Sequence, residues 1–191
     1  MKSKAAFIDR DGNLIVETGY MDEVGKVKFY SRSIAALKLL KEAGFKVIVV
    51  TNQSGVARGY FTEKFVQDTH LHINALLKKH GLKIDGFYYC PHHKKAVRGK
   101  YRKDCSCRKP NTGMLEAAAS KHKIDLKKSV TIGDKLSDVK LGHNAGAKGI
   151  IVLTGYGRKE KEKIKENKIK PDFIARDFYA AVKWAIKTEC V

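Results

Sequence analysis

Asp9 and Asp11 stand two residues apart, directly after the apolar run "KAAFI" (4–8) and just ahead of Gly12. One carboxylate of such a pair can attack an electrophile while the other moves a proton, and both can gather around a cation. Alone they equally suit a polar turn after a buried strand. Further polar groups follow later apolar runs. Thr51, Asn52, Gln53 and Ser54 come after "KVIVV" (46–50), and Asp134 and Asp138 come after "SVTIG" (129–133). Asp138 lies one helical turn beyond Asp134, a position that also suits charge stabilisation of a helix N-terminus. The basic stretch 90–107 gathers Cys90, His92, His93, Cys105 and Cys107. Three thiols and an imidazole make a four-coordinate zinc set, with His92 and His93 as competing nitrogen ligands. Its spacing, C-x-H and C-x-C, is tighter than that of a typical zinc finger.

The elements that must carry these residues are legible from periodicity. "KAAFI" (4–8), "KVIVV" (46–50), "GFYYC" (86–90), "SVTIG" (129–133) and "KGIIVLT" (148–154) read as strands, with residues 87–89 in the sheet core. Helical spacing runs through 33–44, 62–81, 114–122 and 136–146. Residues 158–170 form a charge run, expected as a solvated helix or a mobile segment, and 172–187 closes the chain with a short strand and a helix. Strands alternating with helices predict an α/β, Rossmann-like three-layer sandwich around a central parallel sheet. The expectation is one domain over 1–191, with the metal loop as an insert and no large cap. In such a sheet, ligands bind beyond the carboxyl ends of the strands, so all four polar groups should converge on one edge.

Composition narrows the function classes. The chain has 191 residues, 43% of them hydrophobic, and no apolar run long enough to span a membrane. Its N-terminal apolar stretch is too short for a signal peptide, so the expected location is cytoplasmic, where disulfides are rare. Cys190 is then a tail residue remote from the metal loop. The formal charge of +19 favours anionic partners. Only 8 of the 39 basic residues are arginine and they are scattered, which argues against nucleic acid as the specific partner. No long apolar face is left over, so a monomer is expected.

The motifs "DRDG" (9–12), "VVTNQSG" (49–55), "CRKP" (107–110) and "IGDKLSDV" (132–139) resemble, in order, those of the haloacid dehalogenase superfamily of phosphatases. The arrangement C-x-H…C-x-C-R-K-P resembles both its heptose-bisphosphate phosphatase branch and the related histidinol-phosphatase domains, and the run "SGVARG" (54–59) favours the heptose branch. The resemblance implies Asp9 as nucleophile, forming a phospho-aspartate, and Asp11 as general acid and then base. It implies Mg²⁺ held by Asp9, the Asp11 carbonyl and Asp134, because two anions meeting a phosphate need a cation. Thr51 and Lys109 would then stabilise the transferring group. Asp138 would orient Lys135 or a metal-bound water. Zn²⁺ would sit on Cys90, His92, Cys105 and Cys107 and fix where Arg108 and Lys109 point. Asn52, Gln53, Ser54, Arg58, Arg108 and Lys135 are the candidate substrate contacts, Arg108 for the sugar or its second phosphate. Position 13 is Asn where the superfamily has Thr or Val, with a small effect on loop geometry expected. The implied reaction removes the 7-phosphate of a heptose 1,7-bisphosphate on the route to ADP- or GDP-heptose for bacterial surface polysaccharide. Histidinol-phosphate phosphatase, polynucleotide 3′-phosphatase and a non-enzymatic nucleic-acid-binding module are the alternatives.

Overall fold

A computed structural model describes residues 2–189; Cys190 lies outside them. Six parallel strands form the centre: β1 (Ala5–Ile8), β2 (Lys46–Asn52), β3 (Gly86–Cys90), β4 (Val130–Gly133), β5 (Lys148–Val152) and β6 (Phe173–Ala175). Their spatial order is β3-β2-β1-β4-β5-β6. The chain therefore starts in the middle of the sheet, builds outward to β3, and returns beside β1 to build the other half. The ends of β1 and β4 are neighbours through the register Ile8↔Ile132. That adjacency brings Asp9 next to Asp134.

Alternation along the strands explains the three layers. Ala6, Ile8, Val47 and Val49 face a cluster with Leu37, Leu40, Ile73, Leu77, Phe178 and Val182. These come from α1 (Ser33–Glu42), α3 (Glu63–Lys78) and α7 (Phe178–Glu189). Ala5, Phe7, Ile48 and Val50 face Met114, Leu115, Ala118 and Leu141, from α4 (Gly113–His122) and α5 (Leu136–Asn144). Near-continuous apolar strands are what a sheet covered on both faces requires.

Three local readings change. Residues 54–58, to which periodicity assigns no element, fold as a short helix, α2 (Ser54–Arg58), ended by Gly59 at φ +82°. Phe87, Tyr88 and Tyr89, expected in the sheet core, are only half-buried because β3 is an edge strand with no neighbour on its far side. The charge run is helical over α6 (Gly157–Glu162) and then turns. Its Ile169 is buried against Leu136, Val139 and Ile151, which tethers the segment to the sheet. Among the described residues, no helix is long and apolar enough to cross a membrane.

Candidate active site

Asp9 leaves β1 at the carboxyl edge of the sheet and is buried. The turn that follows is shaped by two neighbours. Asn13, fully buried, donates through Nδ2 to the carbonyls of Asp9 at 3.3 Å and Ile132 at 3.1 Å. It thereby ties the nucleophile's peptide to the end of β4, a larger part in loop geometry than the sequence suggested. Gly12 has φ +79°, and a Cβ there would lie 2.2 Å from Asp134 Oδ2. Both its conformation and the approach of Asp134 demand glycine.

Lys109 arrives from the loop ahead of α4 and is buried. Its Nζ lies 2.8 Å from Asp9 Oδ1 and 2.6 Å from Asp138 Oδ1, and it donates to the Val50 carbonyl at 3.0 Å. Burial alone would lower its pKa, but the carboxylates of Asp138 and Asp9 outweigh it and hold the ammonium charged. Asp138 also accepts from the Lys135 backbone N–H through Oδ2 at 3.1 Å. It therefore caps α5, one of the roles open in the sequence, and its second partner is Lys109 in place of the expected Lys135 side chain. The Lys135 side chain lies elsewhere, 4.6 Å from the centre of the Tyr156 ring.

Asp9, Asp134 and Asp138 offer carboxylate oxygens that all lie within 4.8 Å of one another. Burial, then Asp9 and Asp138, push Asp134 up to about 8. Burial also raises Asp9, against the pull of Lys109. Asp134 Oδ2 accepts from the Tyr156 N–H at 2.8 Å, whereas Oδ1 is buried without a hydrogen-bond partner. An unpartnered carboxylate oxygen among three carboxylates, which Lys109 and the more distant Lys135 do not fully neutralise, fits a hard cation with oxygen ligands.

Asp11 is differently placed. Arg10, itself buried, reaches it with Nε at 3.0 Å and Nη2 at 3.0 Å, and Gln53 Nε2 donates to its Oδ2 at 2.8 Å. Burial works to raise Asp11, but the Arg10 charge and these hydrogen bonds prevail and hold it below the usual range. Gln53 Nε2 also donates to Thr51 Oγ1 at 2.9 Å. With its oxygen so occupied, the Thr51 hydroxyl is left to donate its proton. Asn52 accepts from the Lys109 N–H at 3.1 Å and donates to the Lys109 carbonyl at 3.3 Å.

These groups floor a cavity of about 450 Å³ lined also by Glu17, Gly19, Tyr20, Ser54, Phe61 and Arg108. Lys135, Ser137 and Tyr156 complete its wall. Arg58, at the C-terminal end of α2, does not line it. Glu17 and Tyr20 carry no signal in the sequence beyond following the acid motif by a few residues. A larger, open depression of about 850 Å³ lies by Lys2, Ser120 and Lys127, near the amino ends of the strands. Its wall holds no carboxylate pair beside a buried lysine, so the chemistry resides at the carboxyl edge.

The Cys/His loop ends against this cavity. Cys107 Sγ lies 3.1 Å from Cys90 Sγ and 3.4 Å from Cys105 Sγ, and His92 Nδ1 lies 3.3 Å from Cys107 Sγ. All four donor atoms fall within 4.8 Å of one another, as edges of a tetrahedron around one soft metal ion require. His93 turns away; its Nδ1 accepts from the Lys95 N–H at 3.0 Å. Arg108 donates through Nη1 to the His92 carbonyl at 3.0 Å, which ties the cavity wall to the cluster.

Comparison with known proteins agrees with this geometry. Residues 106–181 match the HAD-hydrolase-like family. The chain is 45% identical over 155 residues to the D-glycero-beta-D-manno-heptose-1,7-bisphosphate 7-phosphatase of Haemophilus influenzae, covering 80% of this chain and 83% of that one. It is 39% identical over 188 residues, 96% of each chain, to the D-glycero-D-manno-heptose-1,7-bisphosphate 7-phosphatase of Thermosynechococcus vestitus. The crystal structure of the D,D-heptose 1,7-bisphosphate phosphatase from B. bronchiseptica, complexed with magnesium and phosphate, superposes with a TM-score of 0.83 at 27% identity, covering 97% of this chain and 99% of that one. The same carboxyl-edge acids and thiol cluster thus sit in a chain that belongs to the heptose-1,7-bisphosphate 7-phosphatase family of HAD-like hydrolases.

Proposed function

We propose that the chain removes the 7-phosphate of D-glycero-D-manno-heptose 1,7-bisphosphate and leaves the anomeric phosphate in place. The observation that carries this reading is Lys109 Nζ held between Asp9 and Asp138, with the unpaired oxygen of Asp134 beside them, under a cavity large enough for a sugar phosphate. The names of the relatives supply the sugar.

Asp9 bonds to phosphorus as the ester P–O bond breaks, giving an aspartyl phosphate. The leaving alkoxide takes a proton from Asp11. Arg10 and Gln53 favour ionised Asp11 in the free enzyme; an arriving phosphate dianion opposes them and pushes it towards the protonated form. Asp11 then accepts the proton of a water that attacks phosphorus, releasing phosphate and restoring Asp9. The Thr51 hydroxyl and Lys109 donate to the phosphoryl oxygens. Mg²⁺ would be held by Asp134, Asp9 and the Asp11 carbonyl, and supplies there the positive charge that offsets the phosphate. Asp138 is engaged with Lys109 and serves as its anchor. Arg108 and Lys135 take the second phosphate or the sugar, with Gln53 and Ser54 beside them. Arg58 supports α2 from outside the cavity. Zn²⁺ would be held by Cys90, His92, Cys105 and Cys107, with no open position for water, and supplies a cross-link.

The enzyme acts as a monomeric single domain in the cytosol, on the way to activated heptose. Phosphate release should be measured in Mg²⁺ buffer on both anomers of the bisphosphate, histidinol phosphate and a 3′-phosphorylated oligonucleotide. The expected order puts a heptose bisphosphate first, with Asp9→Asn inactive. A higher kcat/KM on histidinol phosphate or the oligonucleotide overturns the reading.

A further inference from the structure

The stretch between β5 and α6, residues 153–156, touches both acid-bearing loops. Thr154 Oγ1 donates to the Gly12 carbonyl at 2.6 Å. Two residues on, the Tyr156 N–H is the donor that holds Asp134 Oδ2. Gly155 between them has φ +51°, and its N–H donates to the Tyr30 hydroxyl at 3.2 Å. A Cβ on Gly155 would lie 2.2 Å from Asp134 Oδ2 and 2.6 Å from Gly12 Cα, so the backbone here packs directly on both loops. Farther along, Glu160 Oε2 accepts from the Leu136 N–H at 3.0 Å and fastens α6 to the first turn of α5. The stretch thus grips the turn after β1 and the turn after β4 together.

Strand register alone does not finish a cation site. The pairing of β1 with β4 sets Asp9 beside Asp134, but a carboxylate still swings about its last bond unless one oxygen is held. With Oδ2 held by the Tyr156 N–H, the unpartnered Oδ1 keeps one direction. The Asp11 carbonyl stands one peptide before the Gly12 carbonyl that Thr154 holds. Thr154 does not line the catalytic cavity, so it acts only through what it holds. We propose that Thr154 and the Tyr156 N–H form a positioning strap, which sets the spacing between the Asp11 carbonyl and Asp134 Oδ1 at which a divalent cation binds. This deepens the function proposed above and rests on the cation site in that reading.

Thr154→Val puts a methyl group where the hydroxyl donates, and Thr154→Ser keeps the hydroxyl. Binding of Mn²⁺ to the full-length protein, without substrate, is read from the electron paramagnetic resonance of the free ion, with Asp134→Asn marking the share that belongs to this site. The Kd for Mn²⁺ is expected to rise about tenfold in Thr154→Val and to stay within about twofold in Thr154→Ser. At saturating Mg²⁺, kcat of Thr154→Val is expected to fall less than about threefold, because the bound cation then meets the same ligands. An unchanged Kd in folded Thr154→Val, an equal rise in Thr154→Ser, or a kcat that stays depressed at saturating Mg²⁺ overturns the proposal. If circular dichroism shows Thr154→Val unfolded, Tyr30→Phe, which removes only the acceptor of the Gly155 N–H, is read by the same Kd and kcat. Failure of the underlying function shows differently. Mn²⁺ binding needs no sugar, so preference for another ester leaves this result standing, whereas an unsubstituted protein that binds no Mn²⁺ at this site overturns both.

Discussion

Asp138 Oδ1 lies 2.6 Å from Lys109 Nζ, and neither side chain is more than 3% exposed. The pair joins the N-terminus of α5 to the loop that follows the Cys/His cluster. It sets the direction of the ammonium group towards Asp9. Asp138→Asn keeps the cap on α5, because the amide oxygen still accepts from the Lys135 N–H, but removes the charge that holds Lys109. The expected outcome is a fall in kcat of about 10²–10³ with thermal stability nearly intact. Steady-state kinetics beside a melting curve checks it; loss of both together would make Asp138 a structural residue only.

Asn52 grips the Lys109 peptide from both sides, accepting from its N–H and donating to its carbonyl. A substrate contact and a positioning residue separate in kinetics. Asn52→Ala should lower kcat about tenfold through slackened placement of Lys109, while KM changes less than about twofold. A raised KM at unchanged kcat would return Asn52 to the role of substrate contact suggested by its place after β2.

The sheet and its carboxyl-edge site are legible in the sequence because strand periodicity, turn residues and the acid motifs all agree. The β-branched run 46–50 and the apolar run 4–8 could only be central strands. What stays hidden are relationships between distant segments. That Asp138 holds Lys109 depends on the register of β1 with β4, which local pattern does not encode. Glu17 and Tyr20 fall in a stretch without regular spacing, and Tyr20 is placed by contact with Tyr60 and Phe61 in the loop between α2 and α3. The half-buried aromatics of β3 were misplaced for the same reason: strand order, not strand composition, decides which strand is the edge.

The four donors of the Cys/His loop lie beside Arg108, which donates to the His92 carbonyl. Disrupting the zinc site proposed for this cluster should free residues 91–107 and, with them, Arg108. In Cys105→Ser, KM for the bisphosphate is expected to rise about tenfold while the sheet stays protected. Hydrogen exchange should show faster exchange confined to this loop and α2, whose Ala57 carbonyl accepts from the N–H groups of Val97 and Arg98. Metal content is measured on the same sample. Undiminished kcat/KM in protein shown to be metal-free would remove the loop from the substrate-binding account.

His70 lies buried on α3, its ring stacked 4.4 Å from that of Phe87, and its Nε2 has no hydrogen-bond partner. Burial, helped by the nearby Arg10 charge, lowers its pKa from 6.5 to about 3. The folded protein therefore keeps the ring neutral at a pH where the unfolded chain already binds a proton. Its contribution to stability is complete above about pH 6.5 and is lost as pH falls towards 3, by at most about 1.4 kcal/mol per pH unit. His70→Phe keeps the stack on Phe87 and removes the titration. The stability of the unsubstituted protein should fall more steeply than that of the variant between pH 6.5 and 4, as read from urea unfolding at each pH. Parallel curves across that window would mean that the imidazole is protonated in the fold, against the environment described for it.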